Sequence, residues 1–176
     1  SALENGAAVD RATEGGWTPL SSACKNGHVD AARLVLDKGA EVDRAMKDGA
    51  TPLYIACQNG HVDAARLLLD KGAEVDRAAE DGATPLIIAC QEGHVDAARL
   101  LLDKGADVHK ASKNRTPLHV ASYNGHIDVV RLLLANGANA DLDVKDKHGD
   151  TPVADAKSKG HSSIVALLEE HQKPAA

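Results

Sequence analysis

A unit of about 33 residues recurs along the whole chain, and this repetition limits the possible folds more than any other feature. Thr-Pro recurs at intervals of 33, 33, 32 and 35 residues, and Gly-His follows each Thr nine residues later. Such a period is typical of architectures in which each unit packs only against its neighbours. The five Thr residues that begin these units are Thr18, Thr51, Thr84, Thr116 and Thr151.

Each unit has the signals of two short helices. Thr51 is a suitable N-cap, and Pro52 suits the first helical position because it loses no useful hydrogen bond there. Gly60 is expected to end this helix, and a second helix starts near His61 and closes at Gly72. Between His61 and Gly72, apolar side chains recur at three- and four-residue steps and predict one buried stripe. That stripe consists of Val62, Ala65, Leu68 and Leu69.

The composition favours thin stacked layers and excludes several classes of protein. The chain has no Phe, one Trp and two Tyr, so its apolar mass comes from small and aliphatic residues. A net charge of -6 offers no basic footprint for nucleic acid. No apolar run is long enough for a membrane span, and three cysteines without a secretory signal favour a reducing compartment. We therefore predict an intracellular, cytoplasmic or nuclear monomer that binds neither nucleic acid nor membrane and needs no cofactor.

The first and last units differ from those between them. We predict a single repeat domain over 1–176 in which the last unit is a cap, because Ser162 and Glu169 replace apolar residues of the other second helices. The start matches only the tail of a unit, which indicates a fragment of a longer array with Ser1-Ala2 as a cloning remnant. The predicted divisions are a trailing half-repeat at 1–12, repeats at 13–45, 46–78, 79–111 and 112–145, and a capping repeat at 146–176.

The motifs Thr-Pro-Leu, Gly-His, Leu-Leu-Leu and Gly-Ala-Glu-Val in this order resemble the ankyrin repeat family over nearly the whole chain. The resemblance implies an all-α solenoid of helix-turn-helix repeats with projecting β-turn or hairpin fingers beside a concave row of first helices. It also implies recognition of protein partners by the finger tips and the concave face. The chain departs from the family pattern after Thr-Pro-Leu, where only His119 is the usual histidine, and in the last two fingers. Asn114 stands there in place of a finger glycine.

The two most similar repeats differ mainly where the family meets its partners. Repeats 46–78 and 79–111 differ at seven of 33 positions, and their second helices are identical. Four of the seven differences fall on the fingers and first helices, although drift at exposed positions would give the same pattern. Trp17, beside a finger tip, is the best single anchor because exposed Trp residues often dominate interfaces. The predicted partner-binding residues are Trp17, Met46, Lys47, Tyr54, Gln58, Asn59, Glu80, Ile87, Gln91, Glu92, Lys113, Arg115, His119, Tyr123 and Asn124.

Alternatives to a natural binding module remain open at this point. Near-identical repeats also suit an engineered or consensus-like ankyrin scaffold without a native partner. The family resemblance raises a third possibility, a substrate of an asparaginyl or aspartyl hydroxylase, although Asp43, Asp76 and His109 replace the usual Asn. An enzyme is not expected, because five of the nine histidines and the cysteines Cys24, Cys57 and Cys90 form rows with one residue per unit rather than a cluster in a pocket. The cysteines are expected to be small buried residues.

Overall fold

Ten α-helices in five consecutive pairs make up the chain between residues 9 and 172, which the computed structural model describes. The trailing half-repeat predicted at 1–12 lies mostly outside these residues, as do the Ser1-Ala2 remnant and the last four residues of the capping repeat. Pairs 1 to 5 are, in order, α1 (Pro19–Lys25) with α2 (Val29–Asp37), α3 (Pro52–Gln58) with α4 (Val62–Asp70), α5 (Pro85–Glu92) with α6 (Val95–Asp103), α7 (Pro117–Asn124) with α8 (Ile127–Ala135), and α9 (Pro152–Ser158) with α10 (Ser162–Gln172).

Every first helix starts as the Thr-Pro motif predicts. In α3 the Thr51 hydroxyl accepts a hydrogen bond from the Tyr54 backbone N–H at 3.2 Å, and Pro52 occupies the first turn. The same Thr cap begins α1, α5, α7 and α9. The second helices begin one residue after the histidine of Gly-His, with an aspartate in the first turn of α2, α4, α6 and α8. There the helix dipole favours the negative charge.

The first helices stack in one row and the second helices in another, with the core between the two rows. The main helix contacts run within a pair or between consecutive pairs. The Leu after each Thr-Pro is fully buried in pairs 1 to 4, and so are Ala65 and Leu68 of the predicted stripe. Val62 and Leu69 are only partly buried, whereas Leu67 is buried too, so the apolar stripe is displaced from the predicted one. A further short 3₁₀ helix, Ala138–Asp141, follows α8.

The Gly-His motif joins each pair to the one before it. The His94 Nε2–H donates to the Gln58 carbonyl at 3.1 Å, which satisfies an acceptor at the C-terminal end of α3. His61, His126 and His161 make the equivalent bond. Each ring lies against the glycine of the preceding motif: a Cβ on Gly60 would stand 2.7 Å from His94 Nδ1. The repeated Gly-His is therefore an inter-pair joint.

The charged residues of the second helices do not pair as their spacing suggests. Aspartate and arginine three residues apart, such as Asp30 and Arg33, are expected from that spacing to support each other within a helix. No such ion pair occurs among residues 9–172. Instead Lys71 Nζ donates to Asp37 at 2.8 Å, and an equivalent bond joins pairs 2 and 3, so these lysines connect consecutive pairs. The Lys71 bond and charge hold the pKa of Asp37 below its ordinary value.

The last pair presents a polar outer surface. Ser162 and Glu169 are both exposed, and Glu169 forms an ion pair with Lys157 at 2.8 Å. Inside the pair, Ile164 and Leu168 are buried against the preceding helices. The capping role that the sequence suggests for this pair stays a prediction. No helix within the described range is long and apolar enough to cross a bilayer.

Candidate partner-binding surface

Five tight turns, which we call the fingers, precede the first helices. In the second finger, residues 46–50, Met46 N–H donates to the Ala50 carbonyl at 2.9 Å and Gly49 N–H donates back to Met46 at 3.0 Å. Glu80 N–H of the third finger donates to the Asp48 carbonyl at 2.9 Å, so successive fingers touch. The fingers occupy residues 13–17, 46–50, 79–83, 112–115 and 146–150.

The fourth finger is shorter by one residue and has a different turn. Ser112 and Arg115 exchange two backbone hydrogen bonds of 3.0 and 2.8 Å and form an isolated β-bridge. Lys113 and Asn114 between them have φ of 50° and 62°. Positive φ at both central residues is characteristic of a type I′ hairpin turn. Asn114, which stands in place of a finger glycine, thus adopts a positive φ without being glycine, and Lys113 shares the conformation.

A cavity of about 520 Å³ opens between the last three fingers and α5, α7 and α9. Its floor is apolar and consists of Ala83, Ile87 and Val120, which form a small cluster separate from the main core. The half-buried Tyr54 packs on the edge of this cluster. The wall bears charged groups of both signs from the fingers. An apolar floor with a few polar groups around it is the usual make-up of a recognition site.

One wall of the cavity is an ion-pair network around Arg115. Its Nη2 donates to the Asp155 carboxylate at 2.9 Å, and its Nε lies 3.8 Å from Asp146. Both carboxylates are almost fully buried. Desolvation raises the pKa of Asp146, but hydrogen bonds from the His148 and Asp150 backbone and the nearby positive charges outweigh it and leave that pKa below its ordinary value. Arg115 thus ties the fourth finger to the last pair.

Cations cover two of the three aromatic rings on this side of the molecule. The Arg115 guanidinium lies 4.6 Å from the centre of the Tyr123 ring, and Lys159 Nζ lies 4.3 Å from it. In pair 1, Lys25 Nζ lies 4.8 Å from the centre of the Trp17 ring. Trp17 is half-buried against its own finger, where a Cβ on Gly15 would come within 3.4 Å of the ring. The Trp17 ring therefore packs against its own turn, and part of the indole remains exposed to solvent.

The structure places thirteen of the fifteen predicted residues at the surface. Six predicted residues, Ile87 included, line the cavity together: Ile87, Gln91, Lys113, Arg115, Tyr123 and Asn124. Trp17 and Lys47, among others, lie in earlier fingers away from it. Half-buried are Trp17, Met46, Tyr54, Arg115 and Tyr123; exposed are Lys47, Gln58, Asn59, Glu80, Gln91, Glu92, Lys113 and Asn124.

Two of the predicted residues need correction because they are buried. His119 is 0% exposed: its Nδ1 accepts from the Thr116 hydroxyl at 2.9 Å, and its Nε2–H donates to the Asp150 carbonyl at 3.2 Å. This imidazole joins a helix cap to the next finger and is not available to a partner. Ile87 is 4% exposed and contributes only the floor of the cavity.

Sequence reasoning missed several residues of the cavity wall. Lys147 occupies the same finger position as the predicted Lys47 and Glu80, so alignment of the repeats could have identified it. Asp155 could not be found this way, because its equivalents in the other first helices are uncharged. The further wall residues are Asp81, Ser112, Asp146, His148, Asp150 and Ser158.

The aspartates at the position of the hydroxylation hypothesis have a clear structural role. Asp43 accepts a hydrogen bond from the Glu74 N–H at 3.0 Å, and Asp76 accepts one from the Asp107 N–H at 3.0 Å. In the next repeat His109 Nδ1–H donates instead to the buried Asp141 at 2.9 Å. These contacts connect consecutive loops.

The three cysteines are buried and free, as predicted for small core residues. Burial raises the pKa of Cys24 to about 12 and raises those of Cys57 and Cys90 even further. Thiols with such pKa values stay protonated and unreactive at neutral pH. No group of three or more His, Cys, Asp or Glu side chains within residues 9–172 could hold a metal ion.

A family model agrees with the repeated helix pairs and fingers. The model, described as ankyrin repeats (3 copies), matches residues 1–79, 42–112, 76–146 and 108–175. No curated protein matches the chain. Because the matches cover nearly all of the sequence and the fold has the expected serial helix pairs, the chain belongs to the ankyrin repeat family.

Proposed function

We propose that this chain is a non-catalytic interaction module that binds a partner protein through its finger tips and the concave face formed by its first helices. Ankyrin repeats generally mediate protein–protein interaction. The observation that carries the proposal is the cavity of about 520 Å³ between fingers and first helices, with its apolar floor and charged wall. Half-buried Trp17, Tyr54 and Tyr123 on the same side supply the kind of side chain that dominates binding energy.

The differences between repeats support the same surface. The helices over Gly60–Ala73 and Gly93–Ala106 are identical, whereas the fingers and first helices carry Met46 or Ala79, Lys47 or Glu80, Tyr54 or Ile87, and Asn59 or Glu92. Partner selection produces a constant scaffold with a varied face, as drift at exposed positions also does.

Affinity capture from a lysate of the source cells tests the proposal. The intact chain is compared with a Trp17→Ala, Tyr54→Ala, Tyr123→Ala variant after circular dichroism confirms that both are folded. The matched control, Arg33→Ala, Arg66→Ala, Arg99→Ala, changes three exposed side chains of the second helices. We expect a protein that the intact chain and the control capture and the aromatic variant does not. Capture that is indifferent to the aromatic variant would contradict the assigned surface.

An engineered or consensus-like scaffold without a native partner is the second candidate. The identity of two whole second helices favours it, because repeated copies of one idealised unit would look the same. This candidate predicts that the intact chain captures nothing specific in the same experiment.

A further inference from the structure

Tyr54 differs from the other two aromatic residues in the charge around it. Trp17 and Tyr123 both lie beneath cations of the chain itself. No cation lies over the Tyr54 ring within the described part of the chain. Cations are attracted to aromatic faces within about 6 Å. Among the three aromatic rings, Tyr54 is thus the one that has no cation from residues 9–172 over its face.

Carboxylates surround Tyr54 instead. Asp81 is held beside it, because its Oδ1 accepts the N–H of Ala83 at 2.9 Å and Ala83 belongs to the cluster on which Tyr54 packs. Asp48 is held in the same way by the N–H of Ala50 at 3.1 Å. Burial and the charges of Asp81, Asp48 and Glu92 raise the pKa of Tyr54 to about 12. The ring therefore lies in a negative potential.

These three carboxylates are available to a partner. Asp48, Asp81 and Glu92 are all exposed, and none forms an ion pair with any residue between 9 and 172. Hydrogen bonds from backbone groups fix two of them in place, so little side-chain entropy is lost when they bind a cation.

The far wall of the cavity differs from the Tyr54 side, because its charges of both signs balance. Arg115 pairs with Asp146 and Asp155, and Lys113 and Lys147 share the wall with exposed Asp150. Tyr54 adjoins the cavity at its apolar floor. A basic ligand group is therefore attracted at the Tyr54 side and gains no net attraction at the far wall.

We propose that this cavity and the adjoining face of Tyr54 bind an extended segment of a partner protein that places a lysine or arginine on Tyr54, near Asp48, Asp81 and Glu92, and an aliphatic side chain on the floor of Ile87 and Val120. This inference rests on the proposed function and specifies the chemistry of the partner. Tyr54, Ile87 and Val120 belong to pairs 2, 3 and 4, so the segment spans roughly 20 Å at a helix spacing of 8–10 Å. About six extended residues cover that length.

Selection from random nonapeptides displayed on phage tests the proposal. The intact chain is the bait, and the sequences recovered are expected to combine Lys or Arg with an aliphatic residue a few positions away. The recovered peptides are then synthesised with a fluorescent label, and their affinity is measured by anisotropy. The test variant is Asp48→Asn, Asp81→Asn, Glu92→Gln, which keeps the acceptor oxygens that hold the fingers and removes three charges.

The matched control is Asp30→Asn, Asp63→Asn, Asp96→Asn, which removes three exposed charges from the second helices and changes the net charge equally. We expect the test variant to bind the recovered peptides about tenfold more weakly and the control to bind within about twofold of the intact chain. Added salt should weaken binding to the intact chain more than to the test variant.

Three outcomes would overturn the proposal. Recovered peptides without a basic residue, or peptides that the test variant binds as tightly as the intact chain, would show that the charge assignment is wrong, while the broader binding function could stand. Recovery of no peptide above background would show that the cavity takes no extended segment. The lysate capture described above then decides the broader function separately, since it depends on the aromatic residues and not on these carboxylates.

Discussion

At the scale of single residues, the glycine of Gly-His is required for two separate reasons. Gly60 has φ of 72°, which L-residues rarely adopt, and its missing Cβ leaves room for the His94 ring. Gly72, at the end of the next helix, has φ of 90°, but a Cβ added there would meet nothing within 4 Å. Glycine is therefore required at position 60 by both the backbone conformation and the contact with His94, and at position 72 by the backbone conformation alone.

Alanine at these two positions should have different effects. Gly72→Ala should lower the free energy of unfolding by about 1–2 kcal/mol through backbone strain alone. Gly60→Ala should lower it by at least about 1 kcal/mol more, because the new methyl group displaces the imidazole that joins two pairs. Urea denaturation followed by circular dichroism measures both. Equal losses would show that the His94 contact adds nothing.

The carboxylate of Asp146 should make stability depend on pH. Because its pKa in the folded state lies below the ordinary value of 3.8, the ionised form stabilises the fold above about pH 4. That contribution is lost as the pH falls through the folded pKa. Asp146→Asn should therefore be less stable than the intact chain at pH 7, and the difference should close toward pH 3. Urea midpoints across this range measure it, with Glu14→Gln at an exposed position of the first finger as control, and a difference that stays constant with pH would contradict the assignment.

The burial of individual side chains was the part that sequence could not predict. His119 and Ile87 occupy the same position of the repeat as Tyr54, which is half-buried. His119 is covered because the following finger brings the Asp150 carbonyl to it, and Ile87 because Val120 and Tyr54 pack around it. The burial of a side chain at this position depends on which residues the neighbouring repeats place around it. The repeat period alone does not predict those contacts.

At the scale of elements, the helices follow from local signals and the fingers only partly do. Thr-Pro, Gly-His and the apolar spacing predicted the helix limits to within two residues, because caps and glycine stops are local. The ion pairs between Lys71 and Asp37 were missed because they join different repeats. The fourth finger shows the same limit: its shortening was visible, but the second positive φ at Lys113 was not.

The turn of the fourth finger should be sensitive to side-chain branching. Asn114→Gly should change the free energy of unfolding by less than about 1 kcal/mol, because glycine adopts positive φ freely. Asn114→Val should lower it by about 1–2 kcal/mol and weaken the contact of Arg115 with Asp155, since a branched residue resists φ of 62°. Thermal denaturation of both variants checks this. If valine is tolerated as well as glycine, the turn does not hold the conformation described.

At the scale of the whole molecule, stability is a sum over units and the joints between them. The final pair covers α8, where Leu133 and Leu134 are buried, and together with the fifth finger it supplies the two carboxylates that hold Arg115. Its outer side is polar at Ser162 and Glu169. The last pair therefore covers the interior of its neighbour.

Removal of residues 146–176 should destabilise everything that remains. We expect the melting temperature to fall by about 10 °C, because loss of several kcal/mol shifts Tm by a few degrees per kcal/mol in a chain of this size. Differential scanning calorimetry measures it, with a chain shortened only by 173–176 as the control. An unchanged melting temperature would refute the capping role.

The joints between consecutive pairs also determine how the molecule answers a pulling force. The His–carbonyl, Asp–amide and Lys–Asp bonds each connect one pair to the next, so a load applied at the two ends passes through the joints in series. The weakest joint yields first and frees about 33 residues, or roughly 110 Å of chain, before the next one bears the load. Stretched between two attachment points, the array should therefore lengthen in steps of about one repeat each.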